Sequence, residues 1–348
     1  MARNLKSLLI IAVAIALAYW FARRIDWVSV GGHLRHANYA LLILGSLFIN
    51  ATLVLRVARW LWFLRPITRA SAWDALASTV IGFGCMFLVG RAGDLVRPVM
   101  LSLRSGIKAS ATIATILIER LFDMTAVALL FAGCLLVVEV PADSGLDLSK
   151  LRLTGLLMVA GIVVGIGALI LLRLKAAWIV TLTSRWFGWL PKPILNFLLG
   201  FLTHIADGLS VLMNMKALAA TAGYTALIWG VIAGAYWLVI RAFGVEFSIS
   251  QTLFVLGAGL VGSLIPTPGG SAGAFHVAAQ KGLTVMGVEL NLAASIAIAI
   301  HFISFGSPFL WALFYLTRTD FTLKQLKEMV ESGSEEPEKL PVTLVKES

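Results

Sequence analysis

Residues 78–98 read STVIGFGCMFLVGRAGDLVRP, an apolar run that ends in two arginines and one aspartate. Arg91, Asp94 and Arg97 follow one another at intervals of three residues. A charge at the centre of a membrane helix costs about 2.5–3.5 kcal/mol, so a run this apolar does not carry three of them without a reason. The fold therefore depends on whether this segment ends at a membrane surface or turns back inside a membrane.

The composition indicates that the chain is a membrane protein. Hydrophobic residues make up 59% of the 348, charged residues only 13%, and the mean hydropathy is +0.91. A soluble core cannot account for this much apolar surface. We expect an all-α polytopic bundle within residues 1–317 and a polar, partly disordered cytoplasmic tail at 318–348. Six segments are each close to the ~20 apolar residues that a span requires: 7–22, 39–58, 113–140, 151–173, 217–241 and 291–316.

Charge predicts the orientation of the spans. The formal net charge is +10, and the loop at 141–149 carries aspartates without a basic residue. Basic residues beside span ends mark cytoplasmic loops, which places both termini in the cytoplasm of a bacterial-type inner membrane. Such loops meet anionic lipid headgroups, whereas no basic-aromatic soluble module is present for nucleic acid. The residues counted as loop cations are Arg56, Arg59, Arg65, Arg69, Arg104, Lys108, Arg173, Lys175 and Arg185.

The sequence contains no recognisable catalytic or cofactor-binding motif. Cys85 and Cys134 both lie inside apolar runs, as expected of buried small hydrophobic residues. No P-loop, metal-ligand spacing or Ser-His-Asp set is found, so neither a cofactor nor a metal is expected.

Two apolar segments are interrupted by glycine and proline at corresponding places. Residues 81–84 (IGFG) align with 256–259 (LGAG) at an offset of 175 residues, about half the chain. This offset predicts a repeat of span, broken re-entrant hairpin and span, with the hairpins near 73–98 and 252–285. Three full spans separate the beginnings of the two units at 39 and 217, so the two repeats would be inverted. The alternative is a pair of ordinary spans with kinks.

The second hairpin contains SLIPTPGGSAGAF, which cannot continue as a helix. Pro266 and Pro268 remove backbone donors, and Gly269 and Gly270 permit non-helical dihedral angles. Ser271 can then cap a new helix, AGAFHVAAQKGL, whose first amides favour an anion such as a lipid phosphate.

The first hairpin can be interpreted in the same way. Asp94 is suited to cap a helix, and Arg91 and Arg97 would flank the beginning of that helix. Guanidinium groups bind phosphate bidentately, so these arginines are candidate headgroup ligands. The alternative is an interfacial loop whose arginines extend to the lipid headgroups.

A third charged group lies within a predicted span. Glu119, Arg120 and Asp123 occur in ATILIERLFDMTAVALLF, with Asp123 at i+4 from Glu119 and i+3 from Arg120. These charges must be paired inside the bundle. They form either a structural network or a contact with the substrate, and Arg120 is the expected partner of Asp123.

The segments GRAGDLVRP, IERLFD and IPTPGGSAGAF, in this order, resemble a flippase-like membrane family. The family includes the transmembrane half of lysyl-phosphatidylglycerol synthases, and the resemblance covers residues 7–318. It implies re-entrant helices and lipid translocation, without the cytosolic aminoacyl-transfer activity of the synthases. Two positions depart from the family pattern, because His276 and Asp94 stand where glutamate is frequent.

Together these features favour a transporter that moves a phosphate-bearing lipid or lipid-linked headgroup between leaflets. Arg91 and Arg97 would bind the phosphate, and Glu119 and Asp123 would release it. Two alternatives remain at this point: an integral-membrane enzyme that modifies a lipid headgroup, and a membrane scaffold for a separate soluble enzyme. A partner enzyme that supplies the lipid is compatible with the first interpretation.

Overall fold

The fold is known for most of the predicted membrane domain. The computed structural model describes residues 19, 21–23, 25–65, 70–105, 109–141, 144–192, 195, 199, 215–265 and 267–316. Across these residues the chain forms helices and turns, and no β-strand occurs among them. The predicted all-α class is therefore confirmed. Most of the predicted span at 7–22 and the whole tail at 318–348 lie outside the described residues.

Polar caps set where several helices begin. The side chain of Asn38 accepts a hydrogen bond from the Leu41 amide, and Ser248 forms a capping box with Gln251. The helices are α1 Trp27–His36, α2 Tyr39–Leu64, α3 Ala72–Val89, α4 Val96–Ser105, α5 Ala109–Val137, α6 Leu148–Leu174, α7 Ala176–Trp186, α8 Met215–Ala242, α9 Ile249–Gly262, α10 Ala274–Val285, α11 Leu290–His301 and α12 Ser307–Leu316.

Five segments of the described chain are long and apolar enough to cross a membrane. They correspond to five of the six predicted spans. A π-helical turn, Phe302–Gly306, joins α11 to α12, so that these two helices make one span. The spans are Tyr39–Leu64, Thr115–Val137, Leu148–Ala168, Leu218–Ala242 and Leu290–Tyr315.

Two helical hairpins lie between these spans. In the first hairpin, a 3₁₀ turn, Gly90–Leu95, connects α3 to α4. In the second hairpin, α9 and α10 pack against each other and are joined through the turn Pro268–Ser271. The helices α4, α9 and α10 have 10, 14 and 12 residues, which at ~1.5 Å per residue is too short to cross the ~30 Å hydrocarbon layer alone. The turn Pro268–Ser271 contacts both α3 and Gly90–Leu95, so the hairpin tips meet.

Helices α2 and α8 form the antiparallel pair at the centre of the bundle. The Asn38 amide at the start of α2 donates to the Ala242 carbonyl at the end of α8, at 2.8 Å. Further along, Gly45 packs against Val239, where an added Cβ would lie 3.1 Å from the valine side chain. The second hairpin and α11 pack around this pair, and their apolar side chains make the largest core cluster.

Candidate functional site

Five charged side chains from three helices form a buried ion network: Arg56 and Arg59 of α2, Arg97 of α4, and Glu119 and Asp123 of α5. The Arg59 guanidinium bridges both carboxylates, with Nη2 2.7 Å from Glu119 Oε1 and Nη1 2.7 Å from Asp123 Oδ1. Arg97 Nη1 lies 2.9 Å from Glu119 Oε2, and Arg56 Nη1 lies 3.0 Å from Asp123 Oδ2. Pairing of this kind is what makes buried charge tolerable.

Helical spacing explains why these side chains converge. Arg56 and Arg59 are three residues apart and share one face of α2, while Glu119 and Asp123 are four apart and share one face of α5. The two helices run antiparallel, because Arg59 reaches Glu119 and the earlier Arg56 reaches the later Asp123. Helix α8 completes the network, since Thr225 Oγ1 accepts a hydrogen bond from Arg59 Nη1 at 2.7 Å.

Arg97 is held in place by its surroundings on the first hairpin. Its guanidinium carbon lies 4.1 Å from the centroid of the Trp60 ring, and Trp60 Nε1 donates to Thr115 Oγ1. A Cβ at Gly82 would lie 2.9 Å from Arg97 Cβ, so glycine allows α3 and α4 to approach each other here. Arg97 is 2% exposed and is therefore part of the interior.

The assignment of Arg56 and Arg59 to a cytoplasmic loop was wrong. Helix α2 continues to Leu64, beyond the predicted end of the span at residue 58, and both arginines lie inside it. The positive-inside rule counts basic residues near span ends and cannot see that these two face carboxylates on another helix. The expected pairing inside the bundle holds for Asp123, but Arg120 Nη1 is 3.9 Å away and is farther than Arg56 and Arg59.

A cavity of about 420 Å³ opens beside the network and is bordered by both hairpins. Its size falls within the ~300–1,000 Å³ typical of small-molecule sites. Most of its walls are apolar, and its charged lining residues are Arg56, Asp94, Arg120 and Asp123. Other lining residues are Ile49, Thr52, Leu53, Phe83, Met86, Met124, Val127, Ala128, Phe131, Met158, Trp229, Ile232, Tyr236, Leu256, Gly257, Leu260, Val261, Ser263, Leu264, Gly270, Ser271, Phe275, Ser304, Phe305 and Pro308.

Two arginine-carboxylate pairs make up the charged part of this cavity. Arg120 Nη2 lies 3.1 Å from Asp94 Oδ1, and both side chains are about one quarter exposed, at 28% and 25%. The second pair is Arg56 with Asp123. Arg56 makes its hydrogen bond through Nη1, and its buried Nε has no partner among the described residues. The cavity arginines are thus less fully bonded than Arg59, which lies deeper.

The glycine-rich tip of the second hairpin forms another wall of the cavity. Gly269, Gly270 and Ser271 have left-handed backbones, with φ of 73°, 66° and 65°. Ser271 Oγ donates to the Ser263 carbonyl at 3.1 Å, which holds this unusual serine conformation. His301 Nε2 lies 3.1 Å from the Gly270 carbonyl, and because a carbonyl can only accept, this nitrogen carries the proton.

The helix after this tip begins later than predicted. Ser271 was expected to cap it, but α10 starts at Ala274, and Gly273 occupies the N-cap position. Consecutive left-handed residues at 269–271 carry the chain past Ser271 before helical dihedral angles return. The Gly273 amide donates a hydrogen bond to Nδ1 of His276, at 3.3 Å. The centroid of the His276 ring lies 4.4 Å from the centroid of the His301 ring.

The structure separates the predicted site residues into two groups. Asp94, Arg120, Asp123, Gly270 and Ser271 line one cavity, although they come from three separate segments of the chain. Residues away from its lining include Arg97, Glu119, Gly269 and His276. Pro268 opens the short turn at the hairpin tip and Arg91 lies in the 3₁₀ turn, while the Arg91 side chain and Pro266 lie outside what the structure describes.

These features define an integral membrane protein of helices with an amphipathic cavity inside the bundle. Residues 7–312 match the family described as the lysylphosphatidylglycerol synthase TM region, and the chain belongs to this family. A comparison with curated proteins gives no match. The family relates the protein to lipid headgroup processing.

Proposed function

We propose that this protein moves a phosphate-bearing lipid between membrane leaflets and holds its headgroup at Arg56 and Arg120. The observation that carries the proposal is the cavity, which combines two arginines with walls that are otherwise largely apolar. A ligand that satisfies both parts is an amphiphile with an anionic group. Arginine suits phosphate because its planar guanidinium donates two parallel hydrogen bonds.

Asp94 and Asp123 would allow this site both to bind a phosphate group and to release it. In the structure each carboxylate is paired with one of the two arginines. An arriving phosphate offers the arginines the same type of charged acceptor, so it competes with these carboxylates. When the lipid leaves, the aspartates return to the arginines, which keeps the buried cations paired throughout the cycle.

Arg59, Arg97 and Glu119 are proposed to position the site without touching the lipid. Arg59 and Glu119 are completely buried, and Arg97 is almost so. Arg59 fixes Asp123 through a bond of 2.7 Å, and Asp123 in turn contacts Arg56 on the cavity side.

Access from both leaflets is proposed to come from an inverted pair of hairpins. The antiparallel packing of α2 and α8, which precede the two hairpins in the chain, supports this arrangement. The contact between the two hairpin tips supports it as well, because small movements of either tip would change one side of the cavity.

The test is transport of fluorescent phosphatidylglycerol in proteoliposomes, with the Arg120→Gln variant compared to Arg104→Gln. Arg104 is a matched control, because it pairs with Asp74 at 2.7 Å, its side chain and that of Asp74 are 26% and 25% exposed, and neither lines the cavity. We expect Arg120→Gln to lower the rate by about tenfold or more, since a hydrogen bond to a charged group contributes ~1.5–3 kcal/mol.

Arg104→Gln should transport at the wild-type rate. Equal rates for all three proteins would exclude the arginine site, and a wild-type protein that does not accelerate transport would exclude translocation of this lipid. Mass spectrometry of the recovered lipid separates the proposal from headgroup modification, which would change the lipid mass.

A further inference from the structure

The charged and apolar parts of the cavity lie at different levels of the bundle. Arg56, Asp123 and Trp229 mark the charged level on α2, α5 and α8, with Trp229 Nε1 3.4 Å from Asp123 Oδ1. Seven or eight residues away on the same helices, the lining residues are Ile49, Phe131 and Tyr236. Ile49, Phe131 and Tyr236 lie at the same end of the cavity, because α2 runs antiparallel to both α5 and α8.

The intervening wall is a slot without a charged residue. Its lining includes Leu53 on α2, Val127 and Ala128 on α5, and Ile232 on α8. Seven residues of helix at ~1.5 Å each give a slot about 10 Å long. Phe131 closes it on one side by packing against Gly257 of α9, where an added Cβ would lie 2.1 Å from the ring.

The cavity also has a lateral opening at its charged level. Met124, Val261 and Leu264 line the cavity, yet they are 59%, 56% and 59% exposed. Apolar side chains that are exposed on a membrane-spanning bundle face lipid chains. A lipid can therefore approach the arginines sideways, between α5 and the end of α9.

The volume limits what the cavity can hold. About 420 Å³ is near the low end of the range for sites that enclose a drug-sized ligand. A two-chain phospholipid does not fit as a whole, so part of it must stay outside the lateral opening. The apolar slot is left unfilled by a headgroup that pairs with the arginines.

Resting on the proposed function, we infer that the slot is an acyl-chain site: the first part of one lipid chain lies between Arg56 and Phe131, and the other chain stays in the membrane. The protein then recognises a lipid at two points, phosphate at the arginines and hydrocarbon along the slot. Chain length becomes a determinant of binding, in addition to the headgroup.

The experiment measures how binding of phosphatidylglycerol to the detergent-solubilised full chain depends on chain length, with dihexanoyl and dilauroyl lipids below their micellar concentrations. The test variant is Ala128→Phe, which fills the slot. The matched control is Ala126→Phe, because Ala126 is also half-buried on α5 but does not line the cavity.

We expect the wild-type protein to bind the dilauroyl lipid at least about tenfold more tightly, since each buried methylene adds several-fold. Ala128→Phe should remove this preference by weakening the dilauroyl lipid much more than the dihexanoyl lipid, while Ala126→Phe behaves as wild type. The inference is overturned if the wild-type protein shows no chain preference, or if Ala128→Phe leaves the preference intact or weakens both lipids equally.

In the same assay, the Arg120→Gln variant tests the proposed arginine site separately from the acyl-chain site. Loss of arginine contacts should weaken both lipids by the same factor and leave the chain preference intact. If Arg120→Gln binds both lipids like wild type while the chain preference persists, the arginine site fails and the acyl-chain site stands.

Discussion

Glu119 and Asp123 lie one helical turn apart on α5, yet they face different surroundings. Glu119 is fully buried between Arg59 and Arg97, and it is not part of the cavity wall. Asp123 lines the cavity beside Arg56. The sequence offered Arg120 as the partner of Asp123 and assigned both carboxylates to release of the phosphate. The partners in the structure lead to a different prediction, in which Glu119 serves stability and Asp123 serves transport.

We expect Glu119→Gln to lose about 3–5 kcal/mol of stability, since it leaves two buried guanidinium groups without their common carboxylate. Asp123→Asn should melt closer to wild type, because asparagine keeps the shape and one acceptor, and the charge exposed on Arg56 faces the cavity. Its transport should fall by about tenfold or more. Thermal unfolding and proteoliposome transport check both, with Asp74→Asn as the control, because Asp74 pairs with Arg104 and its side chain is 25% exposed. A stable Glu119→Gln protein would contradict the positioning role.

For individual residues, the sequence predicts that buried charges are paired but does not identify their partners. Three charges within the run ATILIERLFDMTAVALLF had to be buried in pairs, and Glu119 and Asp123 are. Arg59 was missed because the predicted span ended at residue 58, and Arg56, although inside that span, was counted with the loop cations next to it. The signal that could have found them is the apolar sequence WLWF at 60–63, which continues the run beyond both arginines.

Among the elements, the two hairpins use glycine in the same way. A Cβ at Gly82 would lie 2.9 Å from Arg97, and a Cβ at Gly259 would lie 2.9 Å from Phe275. Each glycine is in the first arm of its hairpin and allows the second arm to approach. IGFG and LGAG show in the sequence that each hairpin carries two glycines, but Gly82 aligns with Gly257 at the offset of 175 residues, so which glycine meets the second arm was not predictable. The delayed start of α10 was not predictable either, because it depends on the backbone of three consecutive residues.

The tip of the second hairpin packs against the π-helical turn at Gly270. Gly270→Ala should destabilise the protein more than Gly145→Ala does. Both positions have a left-handed φ, 66° and 68°, so alanine at either one costs ~1–2 kcal/mol in backbone conformational energy. Only Gly270 has a neighbour in the way, since its added Cβ would lie 2.8 Å from Phe305, while nothing lies within 4 Å of Gly145. Thermal unfolding of the two variants measures the difference. Equal melting temperatures would show that the contact between the tip and the π-helical turn is not tightly packed.

Across the whole molecule, hydrophobicity predicts which segments span the membrane, and charge predicts on which side of the membrane each loop lies. Five predicted spans are present as long apolar helices. Helices α2 and α8 form an antiparallel pair, while the inversion of the repeats, predicted by counting spans between the corresponding units, stays a prediction. The cavity could not be predicted, because it requires the packing of segments that lie far apart in the sequence, including Asp94, Asp123 and Gly270.

We expect the two hairpins to enter the membrane from opposite sides. Single cysteines are introduced at Arg104, near the end of the first hairpin, and at Glu246, just before the second. The background carries Cys85→Ala and Cys134→Ala, so that the native thiols, which are buried, cannot react. Glu246 is a suitable position because its side chain is 84% exposed.

With a membrane-impermeant thiol reagent, Arg104→Cys should react from the cytoplasmic side alone, because the positive-inside rule predicts a cytoplasmic location for the basic residues near it. Glu246→Cys should react from the outside alone, and so should Leu146→Cys, a control in the acidic loop at 141–149. Intact spheroplasts and inverted vesicles give the two directions of labelling. If Arg104→Cys and Glu246→Cys react from the same side, both hairpins enter from one leaflet. The inverted arrangement is then excluded, and access to the arginines from the other leaflet would need a movement of entire spans.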